Sequence, residues 1–355
     1  MNIFNMKIMR NHTMSNTFTF LYLRSGSGKR AFKEFDDLCN QRYPIREYGL
    51  SQNDKKKLFY HYLYLRFKYG SSMIDYFLYE FYRSSDFDVS RYMTERDRVR
   101  LYNYADQKDY RHICADKKDF YDTFADFMQK DCMFVDNEAD KTDFLNFVSG
   151  KKEIIAKPRD GQRGIGVLKF SIDGDESISR AWNCCLKDHL LVEKVIEGCE
   201  EREAFHPESL NTIRVSTAID KSGIPHIMAA TIRTGVDDNF VDNGHSRGVY
   251  ARIDVETGVI STIGYNANGE RFPAHPNTGV KFAGTQIPCW KELRELVAEA
   301  AKRVPQLRYI GWDWALDIEH HWILIEGNEP GGIDVHQHPG FIGVLHAYQN
   351  ILLDR

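Results

Sequence analysis

Residues 311–328 read GWDWALDIEHHWILIEGN, and the pattern predicts a β-hairpin. If the chain reverses at Glu319–His320, Asp313 falls directly opposite Glu326. Directly opposed side chains on one face have Cβ atoms roughly 5 Å apart, and like charges there are destabilising. Asn328 lies two residues beyond Glu326 and projects from the same face. The flanks Trp312, Trp314, Ile323 and Leu324 read as buried, and a buried pair of acids needs compensation. Two carboxylates and an amide oxygen converge here with no basic residue near them in sequence. That donor set suggests a hard divalent cation, and Mg²⁺ suits it because it takes carboxylate oxygens together with nucleotide phosphates. The competing readings are a solvated hairpin face, or one acid neutralised by an arginine from elsewhere. Asp317 shares the Asp313 face but sits near the turn and is left out.

A second stretch, IIAKPRDGQRGIGV at 154–167, sets Gly161, Gly164 and Gly166 after a short apolar run ending in Lys157 and Pro158. It fails both standard phosphate tests. Gly161 and Gly166 have P-loop spacing, but Val167 stands where the lysine belongs, and G-x-x-G-x-G reverses the dinucleotide fingerprint. What remains is a strand, a glycine-rich turn and a returning strand. Such a tip can fold over a polyphosphate as a flap, with Lys157 reaching in, although most glycine-rich turns merely turn. SGSGKR at 25–30 is a second decoy, with Leu23 in place of the first P-loop glycine and Arg30 in place of Ser or Thr; it reads as a flexible turn.

At 355 residues the chain is long enough for two or three packed units. A formal charge of −4 offers no global attraction to nucleic acid or anionic lipid. The seven cysteines are odd in number and contain no CxxC pair, which argues for a reduced cytosol over a disulfide framework or zinc ribbon. No apolar run reaches 18 residues, so no membrane span is expected. The apolar part of the amino terminus, 17–23, is too short for a signal peptide, and a cytoplasmic location is expected.

Residues 1–110 read as a helical region. Its segment from Phe59 to Arg83 is crowded with aromatics, expected to pack as a core with phenolic tips at the surface. KKK at 55–57 reads as a solvated helix start. A further helical segment runs from Ile113 to about Phe134. Strands follow at Glu153–Arg159, Gly166–Ile172 and His189–Ile196, with a helix near Ser177–Lys187. Hairpins then turn at Ser222–Gly223 and Thr257–Gly258, a helix is spaced from Trp290, and a last helix begins near Gly340. The fold class is α+β, with sheets built largely from antiparallel pairs.

Taken together these residues resemble the ATP-grasp superfamily, and within it the sugar-transfer-associated ATP-grasp family found among polysaccharide-biosynthesis proteins. The resemblance covers roughly Asp116 to Gln337. It implies an ATP-grasp fold in which two α+β lobes clamp ATP: a small lobe at 111–196 carrying the flap, and a large lobe at 197–355 carrying metal and substrate sites. ADKKDF resembles the first nucleotide lysine, Lys117, and the glycine stretch resembles the second, Lys157, with its flap. LLVEKVIEG resembles the interlobe hinge, where Glu193, Lys194 and Ile196 would border the adenine; CEE would place Glu200, or else Glu201, near the ribose. HPESLNTIRVST resembles the substrate-side strand with Asn211 and Arg214. VDNGHSRGVYARIDVETG resembles a further family segment with Asp242, Asn243 and His245, and departs from it at Arg247–Gly248, where paired glycines are expected. GWDWAL and LIEGNEPGG then supply Asp313, Glu326 and Asn328 in the superfamily's metal positions.

The chemistry the resemblance implies is ADP-forming ligation of a carboxylate to an amine through an acyl phosphate. ATP and Mg²⁺ are the cofactors, and a sugar or glycan precursor, including a nucleotide sugar, is the implied partner. Lys117 and Lys157 would hold phosphates, and Arg214 would meet the transferred phosphoryl group, structural pairing with a carboxylate being its alternative role. Of His206, His245, His336 and His338, only His245 is given a role, as general base. Two other readings stand beside this one: a related kinase acting on a small polyol or sugar, and an ATP-binding module without turnover.

Overall fold

The computed structural model describes residues 22, 24–129, 131–160, 166–237 and 248–353. Gly161, Gly164, Asp242, Asn243, His245 and Arg247 lie outside the described residues, as does most of the amino-terminal apolar segment.

Helices come first in the chain: α1 Gly26–Gln41, α2 Gln52–Tyr69, α3 Met73–Leu78, α4 Asp86–Ser90, α5 Glu95–Ala105, α6 His112–Ala115 and α7 Lys117–Met128. SGSGKR does not form a flexible turn. Ser25 caps α1, its hydroxyl accepting from the Gly28 N–H at 3.0 Å, so the serine ahead of the glycines starts a helix. The aromatic stretch forms a core as expected, with Phe35 packed on Phe59 and Phe77 at 5.2 and 4.9 Å between ring centres. The phenolic tips divide: Tyr60, Tyr64 and Tyr69 are partly exposed, as expected, but the others are not. Tyr62, Tyr76, Tyr79 and Tyr82 are buried, and the Tyr79 hydroxyl accepts from the Gln337 amide at 3.0 Å, tying this core to the carboxy-terminal segment. Lys55, expected in solvent, is also buried, its Nζ donating to Asp36 and Asn40 at 2.6 and 2.7 Å.

The small sheet comprises β1 Cys132–Phe134, β2 Glu153–Lys157, β3 Leu168–Ser171 and β4 Leu191–Lys194, in the order β1-β4-β2-β3. Cys132–Phe134, expected at the end of a helix, is an edge strand paired with β4. Helices α8 Lys141–Val148 and α9 Asp175–Asp188 cover one face. There Ile154, Ala156 and Val192 meet Phe144, Ala181 and Trp182 in a core of their own. Alternation sends Ile155, Lys157 and Glu193 to the opposite face.

The large sheet runs β11-β10-β5-β6-β7-β8-β9. Its strands are β5 Ile213–Ile219, β6 Pro225–Thr234, β7 Val249–Ile253, β8 Gly264–Tyr265, β9 Arg271–Phe272, β10 Tyr309–Leu316 and β11 Trp322–Asn328. The short α10 Glu200–Glu203 precedes it; α11 Trp290–Arg303 lies between β9 and β10, and α12 Asp334–Gln337 and α13 Leu345–Leu353 follow. Every registered strand pair is antiparallel, as expected from the hairpin pattern.

Trp312 and Trp314 share the core face of β10. Phe124 and Phe127 of α7 meet them edge-on at 5.4 and 6.3 Å. Full burial of side chains this large stabilises by roughly 2–3 kcal/mol each. Helix α7 therefore belongs to the large-lobe core, whereas the division at residue 111 assigned it to the small lobe. The small lobe's own core begins at Val135.

Candidate functional site

The β10–β11 ribbon sets the site. Asp313 pairs with Glu326, but not by simple reversal. The turn is centred one half-residue earlier than Glu319–His320, with Leu316 opposite Trp322 and Trp314 opposite Leu324. That register alone would put Ile325 across from Asp313. The pairing shifts between Asp313 and Trp314, an irregularity of the β-bulge kind, and so brings Glu326 into line. Across β10, Asp313 also stands opposite Arg214 of β5, which stands opposite Thr231 of β6. Glu326, Asp313 and Arg214 thus form one cross-strand row.

Asp313 is buried and fully engaged. Arg214 donates to its two oxygens from Nε and Nη2 at 2.5 and 2.8 Å, and Arg233 Nη2 lies 3.0 Å from Oδ2. Burial pushes this carboxyl up, but the two guanidiniums outweigh it and hold it below its ordinary value. Glu326 is half-buried, and burial raises its carboxyl, with the Asp313 carboxylate adding to the rise while Arg214 and Lys157 oppose it. Asn328 Nδ2 reaches Asp313 and Glu326 at 3.3 and 3.2 Å. A half-turn of its terminal torsion presents the oxygen instead. Two carboxylates and an amide in mutual contact, one acid disfavoured in its charged form, are a fitting cradle for a divalent cation with hard oxygen preferences.

The opposite wall comes from the small lobe. Lys157 Nζ is 2.6 Å from Glu193 Oε2, both side chains nearly buried. Lys117, at the start of α7, donates from its backbone N–H and from Nζ to the Arg159 carbonyl, at 3.1 and 3.3 Å. Asp116 caps that helix by accepting from the Lys118 and Asp119 N–H groups. Burial and then the Lys157 ammonium pull Lys117 below its ordinary value, while Glu326 pulls it up. Both lysines therefore lie within electrostatic reach of Glu326. Lys117, Lys157 and Glu193 line one cleft of about 820 Å³ together with Arg233 and the Glu326–Asp313–Arg214 row.

The expected residues separate in this geometry. Lys117, Lys157, Glu193, Lys194, Ile196, Arg214, Asp313, Glu326 and Asn328 line the cleft. Gly166 closes the described part of the turn with φ +76° and lies against Pro158, where a Cβ would come within 2.9 Å of the ring. Glu200 is exposed and does not line the cleft. Asn211 corrects the substrate-side expectation. Its amide is consumed locally, donating to the Arg202 and His206 carbonyls at 3.0 and 2.6 Å and accepting from Ser209 at 2.7 Å. His206, His336 and His338 are structural, bonded to the Asp237 carbonyl, to Ser216 and Thr231, and to Tyr250. Arg233 was missed. Its signal is the strand register, because Thr231 opposite Arg214 puts residue 233 on the same face two positions on.

Residues 97–352, more than half of the chain, match the family model described as sugar-transfer associated ATP-grasp. Among solved structures, the ATP-grasp ligase PsnB complexed with minimal precursor, Mg and ADP is 12% identical at a TM-score of 0.42. The match covers 68% of this chain and 59% of that one. The D-alanine-D-alanine ligase from Coxiella burnetii is 12% identical at 0.41, over 68% and 58% of the two chains. The N5-carboxyaminoimidazole synthetase from Staphylococcus aureus complexed with ADP is 9% identical at 0.38, over 62% and 45%. The chain spans less than two thirds of the length of each of these structures. No curated protein matches it. Among the described residues no helix is long and apolar enough to cross a membrane.

Proposed function

The chain belongs to the sugar-transfer associated ATP-grasp family, and on that footing we propose that it is an ATP-dependent, ADP-forming ligase joining a carboxylate to an amine, with a sugar or glycan precursor among its substrates. The observation that carries this reading is the row Glu326–Asp313–Arg214 facing Lys157 and Lys117 across one cleft. Acids with an amide on one wall and ammonium groups on the other suit a metal-bound triphosphate.

The carboxylate oxygen attacks the γ-phosphorus, the bond to the β-phosphate oxygen breaks, and ADP leaves. The amine nitrogen then attacks the acyl carbon, phosphate departs, and the amine gives up a proton. Positioning and charge neutralisation dominate such phosphoryl transfer. Lys117 and Lys157 hold the α- and β-phosphates as point charges, and Glu193 fixes the Lys157 ammonium at the cleft wall. Glu193, Lys194 and Ile196 border the base. Arg214 commits Nε and Nη2 to Asp313, leaving Nη1 for a phosphoryl oxygen. Asp313, Glu326 and Asn328 would hold Mg²⁺, which when bound offsets the charge developing on phosphate oxygens. His245 is the proposed base for the incoming amine, a role carried by the family resemblance.

The test incubates purified protein, ATP and Mg²⁺ with paired amino acids and uronic-acid sugars, measuring ADP, phosphate and product mass. An amide-linked product formed with stoichiometric ADP and phosphate is expected. A phosphorylated product without phosphate release would replace the ligase with a kinase. ADP release that survives Asp313→Ala plus Glu326→Ala would remove the metal site from the reaction.

A further inference from the structure

The loop that leaves β4 and the turn of the β10–β11 ribbon meet at the surface, six residues along the ribbon from Glu326, about 20 Å at strand rise. They are stitched together by the Ile318 N–H donating to the Glu197 carbonyl at 2.9 Å and by a bridge between Gly198 and Asp317. Three side chains converge where they meet. The Cys199 thiol, the Glu201 carboxylate and the His320 imidazole each offer an atom, and these atoms all lie within 4.8 Å of one another. Glu201 Oε2 and His320 Nε2 are already 3.2 Å apart.

A tetrahedral zinc site with Zn–S near 2.3 Å and Zn–N or Zn–O near 2.0–2.1 Å sets its ligand atoms roughly 3.3–3.7 Å apart. One edge, at 3.2 Å, is within about 0.1 Å of zinc-site length, and the two edges to sulfur need to contract by at most about 1.3 Å. The backbones are tied, so little chain entropy opposes the contraction. Cys199 is buried, whereas Glu201 and His320 remain open to solvent, so an ion has both an entry path and a place for water. None of the three lines the interlobe cleft, although Arg202 and Glu203, next along the chain from Glu201, do.

We propose that Cys199, Glu201 and His320 form a zinc site, with water in the fourth position, that clasps the segment after β4 to the turn of the ribbon bearing Asp313 and Glu326. Thiolate and imidazole select zinc, and the all-oxygen cradle at Asp313 selects magnesium, so the two sites do not compete for one ion. Binding releases the thiol proton of Cys199 and takes the neutral form of His320. The clasp spans the hinge side of the large lobe, and it stands whether or not the ligase reading does.

The test uses the full chain, stripped with chelator and then titrated with Zn²⁺ and Co²⁺ against a chromophoric competitor. One equivalent of Co²⁺ should give a thiolate charge-transfer band with four-coordinate d–d absorption, and zinc should raise the melting temperature. Both effects should vanish in Cys199→Ser and in His320→Ala, the latter a surface change that leaves the core alone. His320→Ala should weaken zinc binding by more than the roughly 10- to 100-fold that loss of an outer-shell partner costs. Cys184→Ser, a thiol on α9, should leave binding intact. The proposal is overturned if no charge-transfer band forms, if the band survives His320→Ala, or if excess Mg²⁺ displaces the zinc.

Discussion

Glu326→Gln and Asp313→Asn each remove one negative charge from the same cross-strand pair, and their effects on stability should have opposite signs. Asp313 is 1% exposed and takes three guanidinium contacts. Neutralising one partner of a buried ion pair costs about 3–5 kcal/mol because the other charge is left buried. Glu326 remains beside Arg214 as a partial substitute, so the low end, about 3 kcal/mol, is expected for Asp313→Asn. Glu326 has no arginine of its own; burial and the opposing Asp313 carboxylate both disfavour its charge. Like charges directly opposite one another destabilise by up to about 1 kcal/mol, and a glutamine keeps the shape while donating to Asp313. Glu326→Gln should therefore gain about 0.5–1 kcal/mol, or about 1 °C in melting temperature against a loss of about 4 °C for Asp313→Asn.

The pH dependence separates the two further. A carboxyl raised on folding adds nothing unfavourable below its ordinary value of 4.5, becomes a liability as pH rises above that, and reaches its full cost above the folded value. The advantage of Glu326→Gln should accordingly be absent near pH 4 and grow toward neutrality. Asp313, lowered on folding, contributes stability that is complete above its ordinary 3.8 and lost only as pH falls through the folded value. The Asp313→Asn deficit should be flat from pH 5 to 8. The assay is urea denaturation in chelator from pH 4 to 8, with ADP release measured separately in Mg²⁺ and expected to collapse in both variants. A Glu326→Gln protein less stable than the parent, or an advantage that does not grow with pH, would refute the account of this pair.

Lys157→Ala should raise the ATP requirement at least tenfold and also lower stability by about 1–3 kcal/mol, since the buried Glu193 carboxylate loses the Lys157 ammonium at 2.6 Å. Adding Glu193→Gln should restore stability, by melting, but not ATP use; restoration of both would end the phosphate role. Asn211→Ala should cost about 1–2 kcal/mol, because the Arg202 and His206 carbonyls and the Ser209 hydroxyl each lose one of their bonds, the others coming from the Phe205, Ser209 and Gly235 N–H groups. Its KM for ATP should be unchanged, and a KM effect without a stability effect would return Asn211 to the substrate. Asp106 accepts from the Tyr309 N–H at 2.8 Å, and burial, with the Glu329 carboxylate adding to it, pushes its carboxyl up to about 8. The parent should lose stability as pH rises from about 4 to about 8 and level off above that, while Asp106→Asn, which keeps the acceptor, should not; parallel melting curves against pH would sink this.

The parts of the site legible in the sequence are those made by neighbours along the chain. Asp313, Glu326 and Asn328 sit within one hairpin, so alternation alone puts them on one face. The hairpin reading reached the right pair through a simple reversal, while the molecule reaches it through an earlier turn and an irregularity at Ile325, which no residue type announces. Arg214 lies 99 residues from Asp313, and that separation hid the neutralising partner. Local pattern marks a strand but not which distant strand lies beside it. Asn211 was misassigned for the converse reason: a short polar side chain at φ +46° serves its own loop, and bonds made to nearby carbonyls compete with any outward role. The helix at Ser25 and the burial of Lys55 were likewise missed because a cap and an internal acid partner change the meaning of residues that read as polar punctuation.

Under the proposed function, the pairing of Lys157, Arg214 and Arg233 with acids has a consequence for how nucleotide and metal enter. Lys157 is held by Glu193, and Arg214 and Arg233 are held by Asp313. A phosphate that drew either arginine away would leave Asp313 buried and uncompensated, which is costly. A cation that reached Asp313 would leave the two arginines in the same position. Neither ligand alone finds a site whose charges balance, but together they exchange partners: acids turn to the metal, and guanidinium and ammonium groups turn to the phosphates. ATP and Mg²⁺ should therefore bind with strong positive coupling, each tightening the other by the same factor, as linkage requires. Calorimetric titration of ATP with and without Mg²⁺ measures that factor, and Arg233→Ala, which removes one of the two guanidiniums from Asp313, should shrink it. Equal ATP affinity with and without the metal would mean that the arginines leave Asp313 without compensation, and the pairing seen across β5, β6 and β10 would then have no part in binding.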